Sequence, residues 1–202
     1  MYSSQKKDKI DKILILGDSE VGKFSFIIRY VDNDFLVNYC THIGIDYRLK
    51  YIQLDSGEKI RVQLWHIPGQ ERLLTIAKNY YKASHGILLL YDITRQNSFD
   101  KIRKLIQIIK EESNKNTIIF LIGNKIDKNR DRKITTEQGQ KLAEEYKIPF
   151  FEVSAKSGEN VNEVFKALYN KINKAYIKIQ EERGEKLGCW PGNKERNKCI
   201  II

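Results

Sequence analysis

The segment Gly17-Asp18-Ser19-Glu20-Val21-Gly22-Lys23 stands directly behind an aliphatic run from Ile13 to Leu16. A short aliphatic run that stops at a glycine reads as a buried strand. The G-x-x-x-x-G-K spacing at a strand-to-helix junction places backbone N–H groups around a concavity, backed by the positive end of a helix. Such a loop cradles phosphate oxygens, and Lys23 reaches the outer ones. The bland alternative is a glycine-rich turn with a solvated lysine. Either way the chain begins as strand, tight loop, helix.

The same alternation continues. Ile87 to Tyr91, Ile118 to Ile122 and Phe150 to Val153 read as further buried strands. Tyr47, Leu49 and Tyr51 alternate with polar residues, as do Ile60, Val62 and Leu64, and Asp55-Ser56-Gly57-Glu58 lies between them, which predicts a hairpin. Phe99, Ile102, Leu105, Ile106 and Ile109 recur at helical spacing, as do Val161, Val164, Phe165, Leu168 and Ile172. Thr135 with Gln138 predicts a capping box ahead of Leu142 and Tyr146. Strand–helix alternation with continuously apolar strands predicts an α/β fold, a mostly parallel sheet with helices on both faces. There is no internal repeat.

Two more motifs follow strands. Asn124-Lys125-Ile126-Asp127 follows Ile118–Gly123, and Ser154-Ala155-Lys156 follows Phe150–Val153. A carboxylate at a strand end can accept both hydrogen bonds from the N1–H and N2–H₂ edge of guanine. Adenine lacks that donor pair and leaves the carboxylate unpaired. A backbone N–H in the second loop can meet the guanine O6. Each short motif alone is weak. In order, and all at strand C-termini where open α/β sheets bind ligands, they point to a guanine nucleotide.

With these motifs in place the chain resembles a small GTPase of the Ras superfamily, within it the Rab family. Ile43-Gly44-Ile45-Asp46-Tyr47, Gly69-Gln70-Glu71-Arg72, Asn79-Tyr80-Tyr81-Lys82 and Tyr91-Asp92-Ile93-Thr94 carry the Rab-like part. The resemblance implies one domain over 12–176 with a six-stranded sheet, one strand antiparallel, and five helices. Residues 1–11 are then an extension and 177–202 a flexible basic tail. It implies that Phe35 stacks on the guanine ring and that segments near 36–47 and 66–80 sense the nucleotide. It implies GTP or GDP at Gly17, Asp18, Ser19, Glu20, Val21, Gly22, Lys23, Phe24, Ser25, Gly69, Asn124, Lys125, Asp127, Ser154, Ala155 and Lys156. Gln70 is implied to orient the attacking water, and the Gly69 N–H to meet the γ-phosphate.

The departures from the family pattern fall on the metal. The family holds Mg²⁺ with a phosphate-loop Ser/Thr, a switch Thr and an Asp, which here are Phe24, His42 and His66. Mg²⁺ takes hard oxygen ligands in near-octahedral geometry, and neither a phenyl ring nor an imidazole supplies them. Ser25 is rotated by roughly 100° around the helix and substitutes poorly. Glu20 adds a like charge near the phosphates, about 0.5 kcal/mol at ~8 Å with water-like screening. Pro68 removes a donor and stiffens the second switch. The expectation is guanine-nucleotide binding with slow turnover and weak or atypical Mg²⁺. No residue is assigned as a metal ligand. A zinc pair of His42 and His66 is a sharper idea, but two histidines filling vacated space explain them better. His85 reads as structural.

Lys+Arg number 36 and Asp+Glu 26, so the net charge is +10, which admits nucleic acid, anionic membranes or phosphorylated ligands. Lys23 and Lys125 place part of that charge at the nucleotide, and Lys171–Ile202 carries about +4 of it. No nucleic-acid recognition motif accompanies the charge. Cys40, Cys189 and Cys199 are scattered, which argues against a disulfide framework and for a reducing compartment. The N-terminus has no apolar stretch behind its lysines, so no secretory signal is expected. The terminal Cys199-Ile200-Ile201-Ile202 is a C-a-a-X prenylation pattern with Lys194, Arg196 and Lys198 beside it. One lipid chain binds weakly, so those cations, or an acyl chain on Cys189, supply the second signal. The expected setting is the cytoplasmic face of an intracellular membrane with a cytosolic pool. Expected partners, by resemblance, are effectors, an exchange factor and an activating protein, around a monomer that does not bind nucleic acid. The rival reading is a pseudo-GTPase, a fixed interaction module that recruits partners whatever the nucleotide.

Overall fold

The computed structural model describes residues 10–35, 45–53, 59–68 and 74–182. Six strands form one sheet: β1 (Ile10–Gly17), β2 (Asp46–Gln53), β3 (Lys59–His66), β4 (Gly86–Asp92), β5 (Ile118–Asn124) and β6 (Phe150–Val153). Their order is β2-β3-β1-β4-β5-β6. Only β2 runs antiparallel, against β3, with Asp46 opposite His66 and Gln53 opposite Lys59. The neighbouring pairs β1–β3, β1–β4, β4–β5 and β5–β6 are parallel. The turn at 55–58 lies outside the described residues, but the predicted hairpin strands pair.

The helices are α1 (Lys23–Asp32), α2 (Leu74–Lys82), α3 (Gln96–Glu112), α4 (Thr136–Tyr146) and α5 (Val161–Glu182). Side chains alternate across a strand, so each apolar strand feeds two cores. Ile13 and Ile15, Leu88 and Leu90, Phe120 and Ile122 pack with Phe26 and Ile27 of α1 and with Phe165 and Leu168 of α5. Leu14 and Leu16, Ile87 and Leu89, Ile119 and Leu121 pack with Tyr81 of α2, Ile102 and Ile106 of α3, and Leu142 of α4. That two-sided demand is why these strands read as unbroken aliphatic runs.

The capping box at Thr135 forms, with the Gln138 N–H donating to Thr135 Oγ1 and the Thr135 N–H to Gln138 Oε1. Two expectations shift. β6 is fully buried only at Val153, because it is the edge strand of the sheet. α5 continues to Glu182, into the stretch 177–202 expected to be a tail, and Tyr176 reaches Asp11 Oδ1 at 3.2 Å and the His85 ring at 5.8 Å. A short 3-10 helix over Ile126–Asp131, which no periodicity announces, follows β5. His85 is structural as expected, its Nδ1 accepting the Lys12 N–H at 2.9 Å.

Candidate functional site

The phosphate loop joins β1 to α1 at the C-terminal edge of the sheet. Gly17 sits at φ 145°, and a Cβ there would lie 2.1 Å from the Leu90 carbonyl oxygen of β4. Gly22 sits at φ 91°, and its Cβ would lie 2.6 Å from Asn124 Nδ2. Only glycine fits either place. Glu20 takes a left-handed φ of 62° without that licence. Lys23 is 4% exposed and donates to the carbonyls of Gly17 at 3.0 Å and Asp18 at 2.6 Å. Burial pushes its ammonium pKa down to about 8, against the opposing pull of Asp18.

Three successive loop carbonyls are held from outside. Ser19 O accepts from Arg95 at 3.0 Å, Glu20 O from Lys125 Nζ at 2.8 Å, and Val21 O from Asn124 Nδ2 at 2.9 Å. In a trans peptide the N–H points opposite to the carbonyl. Holding those carbonyls outward therefore turns the N–H groups of Glu20, Val21 and Gly22 inward, as an anion cradle requires.

The base side is built around Asn124, which is 1% exposed. Its Oδ1 accepts the Ala155 N–H at 3.1 Å, so one side chain ties the phosphate loop to the Ser154-Ala155-Lys156 loop. Ser154 Oγ donates to Asp127 Oδ1 at 2.6 Å and accepts the Ser157 N–H at 3.0 Å, which fixes the carboxylate. Arg29, near the end of α1, donates to the carbonyls of Ala155 at 3.0 Å, Lys156 at 2.7 Å and Asn33 at 2.8 Å. It thereby fastens the segment leading to half-buried Phe35 against the base loop.

Lys125, which donates to the Glu20 carbonyl of the phosphate loop, also reaches the sheet. Its ammonium pairs with Asp92 Oδ2 at 2.7 Å, and Asp92 is 1% exposed. Burial pulls the Asp92 pKa upward, but the Lys125 and Thr94 hydrogen bonds outweigh it and hold the carboxyl below its usual value. The charge of Lys125 is therefore neutralised inside the fold. Arg29, Arg95 and Lys101 are site residues that no motif singled out, whereas Asp92 stands in the Tyr91-Asp92-Ile93-Thr94 stretch.

At the positions where the resemblance puts metal ligands, the described residues do not fit Mg²⁺. Phe24 is 6% exposed and His66 8%. Their rings meet edge to face with centroids 6.0 Å apart, and the Arg48 guanidinium lies 5.8 Å from the Phe24 centroid. An aromatic pair under a cation offers no hard oxygen donor and carries the wrong charge for a second cation. Among the described residues, no group of three or more His, Cys, Asp or Glu could hold a metal ion. His42, Gly69, Gln70 and Cys199 lie outside the described residues.

A family model described as "Ras family" matches residues 12–174. The chain is 40% identical over 175 residues to Ras-related protein SEC4 of Candida albicans, covering 87% of this chain and 83% of that one. It is 41% identical over 180 residues to GTP-binding protein ypt2 of Schizosaccharomyces pombe, covering 89% and 90%. It is 42% identical over 165 residues to Ras-related protein Rab-13 of Rattus norvegicus, covering 82% and 81%. A sheet of this order, a phosphate loop tied to a guanine-type base loop, and relatives that span nearly the whole chain agree: the chain belongs to the Ras family, as a small GTPase of the Rab type.

Proposed function

We propose that the protein is a guanine-nucleotide-binding switch of vesicle traffic whose GTP hydrolysis is slow because the Mg²⁺ ligand positions are replaced. The observation that carries the second half is the Phe24–His66 ring pair, 6.0 Å between centroids, where oxygen donors are required. The cradle and the base loop bind and orient the nucleotide: inward N–H groups meet the phosphates, Lys23 meets the outer oxygens, and Asp127 accepts from the guanine edge. Gln70, by family resemblance, orients the attacking water. Without a divalent cation to neutralise charge as the phosphoryl group transfers, a main catalytic contribution is lost. Single-turnover GTP hydrolysis, run in Mg²⁺ and again in EDTA, tests this. The expected rates are slow and alike. A fast rate that collapses in EDTA contradicts the reading.

The surface on β2 and β3 suits effectors. Tyr47 stacks on Trp65 at 4.6 Å, and Trp65 meets Tyr80 at 5.2 Å. Tyr47 and Leu49 are each 42% exposed and Tyr51 is 65% exposed. Exposed aromatic and aliphatic side chains beside the nucleotide-sensing segments are what a protein partner buries. The same surface serves the pseudo-GTPase reading, which the aromatic metal position favours. Purified protein carrying GDP or GTP supports the switch, and folded protein free of nucleotide supports the module. Among the described residues, no helix is long and apolar enough to cross a membrane. Membrane residence with a cytosolic pool then rests on prenylation at Cys199 and the basic residues beside it. Exchange factor and activating protein follow from family, and with no nucleic-acid recognition motif beside the charge the protein is read as a monomer that does not bind nucleic acid.

A further inference from the structure

The phosphate loop carries two carboxylates, Asp18 and Glu20, at a place that receives a polyanion. Both are met by cations from the start of α3. Lys101 Nζ lies 3.1 Å from Asp18 Oδ1. Arg95 lies 3.9 Å from Asp18 Oδ2 and 3.3 Å from Glu20 Oε2, and the same guanidinium nitrogen that meets Glu20 donates to the Ser19 carbonyl at 3.0 Å. Arg95 is thus the outside partner of the first of the three held carbonyls and the counter-charge of the residue that follows it.

We propose that Arg95 is a positioning residue for the nucleotide that also sets the choice between GTP and GDP, by turning the Glu20 N–H into the phosphate cradle and cancelling the Glu20 carboxylate beside it. This rests on the reading of the loop as a guanine-nucleotide site. As a contribution to fold stability the Arg95–Glu20 pair is worth little, because Glu20 is 76% exposed in its side chain. Its importance is where the charge stands. With Arg95 present, the two side chains sum to zero. With Arg95 removed, a bare carboxylate faces the phosphates, and GTP carries one more negative charge than GDP. One added unit charge roughly 7 Å from an unpaired carboxylate, with water-like screening, shifts an equilibrium by about threefold. Loss of the outside partner of Ser19 O acts on both nucleotides alike. Loss of the counter-charge acts more on GTP.

Four forms of the full chain separate these effects: wild type, Arg95→Ala, Glu20→Gln and the double variant. Each is titrated with GDP and with a non-hydrolysable GTP analogue, and thermal melting confirms that each is folded. Arg95→Ala is expected to weaken GDP by about tenfold, the size of a lost charge-assisted hydrogen bond. The GTP analogue is expected to lose about threefold more than GDP. Glu20→Gln alone is expected to favour the GTP analogue by about threefold, and the double variant to return to the wild-type ratio. The shift in ratio is expected to shrink at high salt. Arg95→Lys, which keeps the charge, is expected to keep the ratio. A role confined to structure lowers both affinities equally in Arg95→Ala and leaves the ratio unmoved by Glu20→Gln, and that result overturns the proposal. Wild type that binds neither nucleotide overturns the reading of the site and the proposal with it. Wild type that binds both, with an Arg95→Ala indistinguishable from it, overturns the proposal alone.

Discussion

Lys23 is a site residue whose acid–base chemistry changes on folding. Burial brings its pKa from 10.5 to about 8. Between those values the unfolded chain holds more protons than the folded one, so stability rises as pH climbs from about 8 toward about 10.5. Bound phosphates favour the ammonium and reverse the burial effect, so above pH 8 nucleotide binding takes up a proton. GDP affinity is therefore expected to be flat below about pH 7 and to fall about fourfold between pH 7 and pH 8.5. Titration across that range checks it, with Lys23→Arg, which stays charged, expected to bind more weakly but without the slope. At this scale the sequence is uneven. Gly17 and Gly22 are legible because a left-handed φ and a close approach are local demands that only glycine meets. Arg95 and Arg29 are not, nor is the pairing of Asp92, because the partners stand 75, 126 and 33 positions away and no spacing rule links them: Arg95 to Glu20, Arg29 to Ala155, Asp92 to Lys125.

The elements were more legible than the residues that join them. Buried strands announce themselves because both faces are covered, and α3, α4 and α5 because their inward stripes recur at 3.6 residues. What periodicity does not carry is how far an element runs, as when α5 extends to Glu182. It also does not reveal that Arg29 fastens the end of α1 to the base loop through three backbone carbonyls. Arg29→Ala strips those carbonyls of their partner. The expected cost is about 2 kcal/mol of stability by chemical denaturation, together with faster GDP release. An unchanged denaturation midpoint would show that water serves those carbonyls equally well.

For the whole molecule, the parallel sheet brings three loops distant in sequence to one edge, and Asn124 binds two of them together. On one side of the site, Asn124 Oδ1 holds the Ala155 N–H and Ser154 Oγ holds the Asp127 carboxylate. Where the resemblance puts metal ligands, the Phe24 and His66 rings meet edge to face and the Arg48 guanidinium lies over the Phe24 ring. The net charge of +10 changes meaning in the process. Around the phosphate loop the cations are paired: Lys125 with Asp92, and Arg95 and Lys101 with Asp18 and Glu20. On the proposed function, this protein holds its guanine nucleotide with its own chain and not through a divalent cation. GDP dissociation from the loaded protein, followed with Mg²⁺ present and after its removal by EDTA, tests this. Rates that agree within about twofold are expected, because a metal that is not held adds nothing to the complex. Release that speeds up about tenfold or more on adding EDTA would contradict it, since a cation would then be supplying binding energy that these residues cannot anchor.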